Sequence, residues 1–322
     1  MRRWLRGRKD ARIVRGSTVN ARTPVASTTA QHILGEGVRW DTRRDELLRV
    51  DIVAGHVHRD RVADDGSLIP VRTYALTGTV GAITPIEGDE GWLLAAGRGF
   101  SHLSPDGSVR PVSEVAAAGT RMNDAACDAH GRFWAGTMAL DQHRGGGALY
   151  RLDRDGRTNM VLGNLTIPNG IGWSPDGRTM YLVDSGPRVV HRFTYEPRRG
   201  AVSDRQPLIT VPEDVGAPDG LTVDAQGDLW VAIYGGGRVN HYSADGRLLD
   251  TLFAPAAQTT SCAFAGPALD VLFVTTATEN WTDEQRRAEP AAGLVYRFHT
   301  DVTGRPAEPF RPERGWWTDL AR

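Results

Sequence analysis

Six near-copies of one strand–turn–strand theme, recurring about every 40 to 50 residues, predict an all-β chain folded as a six-bladed β-propeller with four-stranded antiparallel blades. A second observation agrees: every copy is followed by a further short strand, so each unit is a small sheet and not a single hairpin. The composition is the third. The chain has 322 residues, 40% of them hydrophobic, with 37 Gly and 18 Pro, which suits many short strands and tight turns. That length exceeds the usual domain, but propellers grow by adding blades and not by enlarging one core.

The copies run in order around the predicted ring. WDTRRDELLRVD (40–51) is followed by GHVHRDRV (55–62), and EGDEGWLLAA (87–96) by GFSHLS (99–104). DAHGRFWAG (128–136) leads to GALYRLD (147–153), and SPDGRTMYLVD (174–184) to RVVHRFTY (188–195). DAQGDLWVA (224–232) leads to GRVNHYS (237–243), and GPALDVLFVT (266–275) to GLVYRFH (293–299). A strand from roughly 24–34 is expected to complete the last blade, closing the ring and removing an exposed seam.

The repeat also selects a site. Five residues before the turn, counted on each unit's first strand, stand Glu36, Asn123, Asn169 and Asp219. The first strand of a blade lines the central channel, so equivalent positions form a ring about the axis. Ser261 takes the slot in blade six by the same count, and blade two offers only Gly81 and Ala82. Gly37, Gly170 and Gly220 follow three of the ring residues and leave room for a backbone or a ligand. Two carboxylates and two carboxamides converging from separate strands suit a hard divalent cation.

Other features have plainer readings. Residues 1–22 hold eight basic side chains against Asp10, a local charge of +7 within a chain of net charge −1; the segment reads as a basic extension outside the fold, with 23–322 as one propeller domain. Without aromatic interleaving or an apolar helical face it does not argue for nucleic acid or membrane. Arg2 and Arg3 are followed by no apolar segment of a secretion signal, and no stretch approaches the length of a membrane span. Cys127 and Cys262 fall on opposite blades, too far apart to pair, so a reducing cytoplasmic setting is the default expectation; separately from the cysteines, a monomer is the default. Asp106-Gly107, Asp155-Gly156, Asp176-Gly177 and Asp245-Gly246 are hairpin turns and not calcium loops. Asp51 and Asp184 end second strands and are expected to hydrogen-bond within their blades, with the metal's surroundings the alternative place for Asp184.

LGEGVRWD (34–41), RMNDAACDAHGRFWAGTM (121–138), IPNGIGWSPDGRTMYLVDS (167–185), PDGLTVDAQGDLWVAIYGGGRV (218–239) and TTSCAFAGPALDVLFVTTA (259–277) closely resemble the gluconolactonase / senescence-marker-protein / luciferin-regenerating-enzyme family. The resemblance covers about 30–312 and implies a six-bladed propeller holding one divalent ion, many members hydrolysing sugar lactones. It places metal ligands at Glu36, Asn169 and Asp219, substrate contacts at Arg121 and Asn123, and a further acidic loop position at Asp141. Two departures alter the channel wall: Gly37-Val38 replaces the usual Gly-Pro, and Asn123-Asp124-Ala125-Ala126 replaces Asn-Asp-Gly-Lys. These bear on substrate identity more than on metal binding.

The expected activity is therefore hydrolysis of a sugar-derived aldonolactone, a small molecule, to its aldonate. The ion would polarise the carbonyl, Arg121 and Asn123 would hold substrate oxygens, and Asp219 would take a proton from water. An all-oxygen site favours Ca²⁺, with Mg²⁺, Mn²⁺, Zn²⁺ or Fe²⁺ as alternatives. Hydrolysis of another ester or a phosphotriester at the same site, or a non-catalytic ligand-binding propeller, are the competing readings.

Overall fold

Strand-forming runs of branched and aromatic residues, cut by Gly, Asp and Pro turns, do fold as six sheets. The computed structural model describes residues 23–320, and the basic segment 1–22 lies outside them. Six four-stranded antiparallel sheets follow one another in sequence order as the blades of a propeller. Their innermost strands are Gly35–Asp41, Val80–Pro85, Thr120–Cys127, Pro168–Trp173, Ala217–Val223 and Thr259–Ala265. Two short helices, Asp283–Ala288 and Arg314–Leu320, are additions that the repeat did not predict. No described helix is long and apolar enough to cross a membrane.

Residue pattern explains the layering of each blade. In the third strand of blade four, Phe193 and Tyr195 are buried while Arg192, Thr194 and Glu196 alternate outward, as a pleated strand requires. Second strands lie between two blades and are buried on both faces, as in Trp92–Ala96 and Leu229–Tyr234. Outer strands are exposed, and three carry Pro70, Pro111 and Pro207, each where the ladder shifts register. A proline removes one amide hydrogen from an edge that could otherwise recruit a foreign strand.

The apolar core is divided into wedges. One buried cluster fills each of the six contacts between neighbouring blades, for example Leu48, Val50, Trp92 and Leu94 between blades one and two. Fully burying a side chain of this size contributes roughly 1.5–3 kcal/mol. The wedges therefore hold the blades in mutual register, which the channel requires.

The ring closes as expected, but with a shorter strand. Val25 and Ala26 pair with Arg297 and Tyr296, so the N-terminal segment supplies the outer strand of blade six. The expected strand over 24–34 shrinks to these two residues. Beyond them the chain is pinned by His32, whose amide and Nδ1 meet Gly293 O at 2.8 and 2.7 Å, and by an isolated bridge from Leu34 to Ala277. A second closure was not foreseen. The C-terminal segment crosses the turn-side end of the channel, bonding blade five through Ala225 N to Thr303 O, blade four through Arg305 to Trp173 O, and blade two through Phe310 N to Pro85 O.

The N-terminal seam is sensitive to acid. His32 is buried between Gly293 O and the Arg49 guanidinium, with Asp51, His56, His58 and Asp60 around them. Burial first, then Arg49, pulls the His32 imidazole from 6.5 to about 4. The unfolded chain accepts a proton near pH 6.5 that the folded chain refuses until about pH 4. Stability is thus complete above that window and falls as pH drops through it, by about 3 kcal/mol from this group. Urea unfolding across the window should show the loss, and His32→Gln should make it shallower, leaving the share of His58, whose imidazole burial also lowers; an equally steep decline in the variant would acquit His32.

Candidate metal and lactone site

The inner strands are irregular at one rung. In every blade the innermost strand carries one more residue than the strand it pairs with, and the break falls at the ring: between Glu36 and Arg39, Val80 and Ala82, Met122 and Ala125, Pro168 and Ile171, Pro218 and Leu221, and Thr259 and Cys262. Such a bulge re-aims side chains and frees backbone groups from the ladder. Measured from the bulge, Thr260 and not Ser261 stands in the slot of blade six, because that strand has an extra residue before its turn. The glycines serve backbone approach: a Cβ at Gly170 would lie 2.3 Å from Leu221 N, and one at Gly220 2.7 Å from Ser261 Cα.

Four ring side chains are brought together and buried: Glu36, Asn123, Asn169 and Asp219. Arg121 Nη1 donates to Asn123 Oδ1 at 2.6 Å, and Asn123 Nδ2 donates to Asn169 Oδ1 at 3.1 Å. Asn169 Nδ2 donates to Ser185 Oγ at 3.1 Å, and Ser185 Oγ to Pro218 O at 2.7 Å. A carbonyl can only accept, so Ser185 must donate to it and accept from Asn169, which turns Asn169 Oδ1 toward Asn123. Asp51 and Asp184 hold the backbone just upstream: Asp51 accepts from Ile33 and Leu34 N, and Asp184 from Thr166 and Ile167 N. Both therefore bond within their blades, each three and two residues before a ring residue.

Charge is out of balance here. Burial first, then Asp124, pushes the Glu36 carboxyl up to about 8; burial and then Glu36 push Asp219 well above the usual range. Burial also raises Asp124, against the pull of Arg39. Burial lowers Arg121, which is sustained by Glu279, Glu36 and Asp219. Four carboxylates (Glu36, Asp124, Asp219, Glu279) thus act on one another with two guanidiniums (Arg39, Arg121), leaving a formal charge of −2. Asp219 Oδ1 is buried with no hydrogen-bond partner. An orphaned carboxylate oxygen amid uncompensated negative charge is costly unless a cation meets it, so the residues present fit a divalent ion.

Two of these acids escaped the sequence reading. Asp124 was noted only as part of an altered motif. Glu279 sits in the loop after the second strand of blade six, fixed by reciprocal bonds with Gln258 (Gln258 Nε2 to Glu279 O at 3.0 Å, Glu279 N to Gln258 Oε1 at 2.8 Å) and by Tyr234 OH at 3.3 Å. No repeat-based count reaches a loop. Asp141, by contrast, does not join the ring network: it is exposed in the turn after Phe133–Ala139, its carboxylate taken by His143 Nδ1 at 2.6 Å.

Two further places compete for attention. A cavity of about 320 Å³ lies toward the turn-side end, lined by Arg39, Asp124, Cys127, Trp173, Cys262 and Arg305, but by none of the four ring residues. Both cysteines are free, and burial raises their thiols, Cys127 to about 12, so they are inert. Asp224, Asp228 and His241 are close enough to share an ion. Asp224 is already engaged, however, accepting from Trp230 Nε1, Gln226 N and Asp228 N, while His241 stacks on Trp230 at 4.0 Å. Asp128 makes the matching lock in blade three, with Trp134, Arg132 and Tyr195. These are turn locks, and the ring is where an unpaired carboxylate oxygen remains.

Comparison with known proteins agrees with the propeller fold. The pentonolactonase of Haloferax volcanii is 36% identical over 288 residues, 88% of this chain and 96% of the relative. Among solved structures, luciferin-regenerating enzyme superposes with a TM-score of 0.82 at 32% identity, covering 90% of this chain and 100% of the other. Regucalcin of Agrobacterium tumefaciens, described as a calcium-binding protein, superposes with a TM-score of 0.83 at 29% identity, covering 89% and 96%. Residues 34–278 match the SMP-30/Gluconolactonase/LRE-like region, and the chain belongs to that family.

Proposed function

We propose that this protein hydrolyses a sugar lactone to the open-chain acid with one divalent ion held by Glu36, Asn169 and Asp219. The observation that carries the reading is the buried, unpartnered Asp219 Oδ1 within a set of charges short by two. Relatives whose names specify pentonolactone and 6-deoxy-6-sulfogluconolactone hydrolysis support the lactone class. A calcium-binding relative and the all-oxygen donor set support Ca²⁺, with Mg²⁺, Mn²⁺, Zn²⁺ and Fe²⁺ as competitors.

When bound, a divalent ion supplies Lewis-acid polarisation of the carbonyl oxygen. The chain's own residues do the rest. Substrate enters from the face carrying Arg121 and Glu279, because the C-terminal segment crosses the opposite end. Arg121, a half-buried cation beside Asn123, orients the lactone oxygens and steadies the carboxylate that forms. Asn123 donates to and accepts from substrate hydroxyls. Asp219 accepts a proton as water adds to the carbonyl carbon; the ring C–O bond then breaks, and the departing oxygen is protonated. The balance is one water consumed and one carboxylate and one proton released. Asp141 is held in reserve as a contact from the exposed loop after Ala139, reached by substrate without joining the ring.

A pH-stat assay over a panel of lactones, other esters and a phosphotriester, with and without metal, tests the reading. Lactone hydrolysis that disappears with the metal supports it; turnover of the other substrates alone, or of none, would transfer the site to one of the competing readings. Three variants divide the roles. Glu36→Gln removes a compensating charge and should lower metal content, which elemental analysis reads directly. Arg121→Ala should reduce kcat/KM while metal content stays at the wild-type level, and an unaltered kcat/KM removes Arg121 from the substrate. Asp219→Asn, measured at saturating metal with occupancy checked, should lose about 10²–10⁴-fold in turnover if Asp219 is the base. Near-native turnover at full occupancy would leave Asp219 a ligand only.

A further inference from the structure

An innermost strand has no neighbour on its axial side, so every second carbonyl along it lacks a partner within the blade. The residues before Glu36 and Asn169 are of this kind. Ile52 N bonds Leu34 O and Ser185 N bonds Ile167 O, so the next residues, Gly35 and Pro168, face away from their ladders. Pro218, before Asp219, holds the corresponding place in blade five. Two of the three positions are proline, which has no amide hydrogen to leave unpaired.

The freed carbonyls are caught by the preceding blade. Thr260 Oγ1 of blade six donates to Gly35 O at 2.5 Å. Asn123 Nδ2 of blade three donates to Pro168 O at 3.0 Å. In blade four the ring residue Asn169 reaches Pro218 O through Ser185, with the distances given above. The rule is the same each time: the ring slot of one blade anchors the carbonyl immediately upstream of the next blade's candidate ligand. Fixing that carbonyl fixes the peptide plane from which the ligand side chain springs, where the bulge has removed the ladder's own restraint.

We propose that Thr260 and Ser185 are positioning residues for the metal, setting Glu36 and Asp219 through the carbonyls of Gly35 and Pro218. Neither touches the ion. They convert the docking of blade six on blade one, and of blade four on blade five, into ligand geometry. The proposal rests on the metal reading above, and partners of this kind typically govern 10–100-fold of metal affinity.

The test titrates metal-free protein with Mn²⁺, following the free ion by EPR, alongside thermal unfolding without metal. Thr260→Val and Ser185→Ala should raise the Mn²⁺ Kd about 10–100-fold while the protein stays folded at the titration temperature. Thr260→Ser and Ser185→Thr keep the hydroxyl and should restore binding. Tyr296→Phe is the control for simple loss of a hydroxyl-to-carbonyl bond, because Tyr296 OH donates to Ala291 O at 2.5 Å in blade six, away from the ring. It should lower Tm without changing Kd. Wild-type affinity in folded Thr260→Val and Ser185→Ala, or equal weakening in Tyr296→Phe, would overturn the positioning role alone. Wild-type protein that binds no Mn²⁺ would overturn the metal reading and this inference together.

Discussion

One extra residue in each inner strand is the constraint on which the site depends. The bulge appears at the same rung in all six blades, and it re-aims the ring side chains beside upstream carbonyls that already face away from the ladder. A bulge costs ladder hydrogen bonds, so it persists where the surroundings replace them. Here that support comes from the preceding blade, as Thr260, Asn123 and Ser185 show. The apolar wedges then acquire a second consequence. By holding the blades in register they also hold oxygen atoms in register around the axis.

Electrostatics turns this geometry into a demand. Carboxyl groups buried together favour protonation, and the upward shifts of Glu36 and Asp219 express that strain. A divalent ion would relieve it by matching the deficit of two. Arg121 cannot do so alone, because its guanidinium is committed to Asn123 and Met122 O, and it faces Glu279 as well. Access follows the same logic: the mouth holds Arg121 and Glu279, while the C-terminal segment lies across the other end.

Much of this was legible in the repeat. A periodic turn reveals blades, and counting from it selected Glu36, Asn123, Asn169 and Asp219, because the number of residues between ring and turn is conserved by the sheet's own geometry. The count failed in blade six, where one added residue moved the slot from Ser261 to Thr260. Asp124 and Glu279 were missed for different physical reasons. Asp124 is placed by the bulge, which a regular alternation does not anticipate, and Glu279 by a loop held through Gln258 and Tyr234. The C-terminal strap and the two-residue closing strand depend on long-range pairing that no local pattern encodes. Asp141 shows the opposite limit: a motif position supplies a residue type but not its contacts.

The central claim is that a single divalent ion sits in this ring. Crystals soaked in Mn²⁺ and measured for anomalous scattering test it most directly. The account predicts one peak within about 2.0–2.6 Å of oxygens from Glu36, Asn169 and Asp219. A peak at Asp224, Asp228 and His241 with an empty ring, or no peak at all, would contradict it.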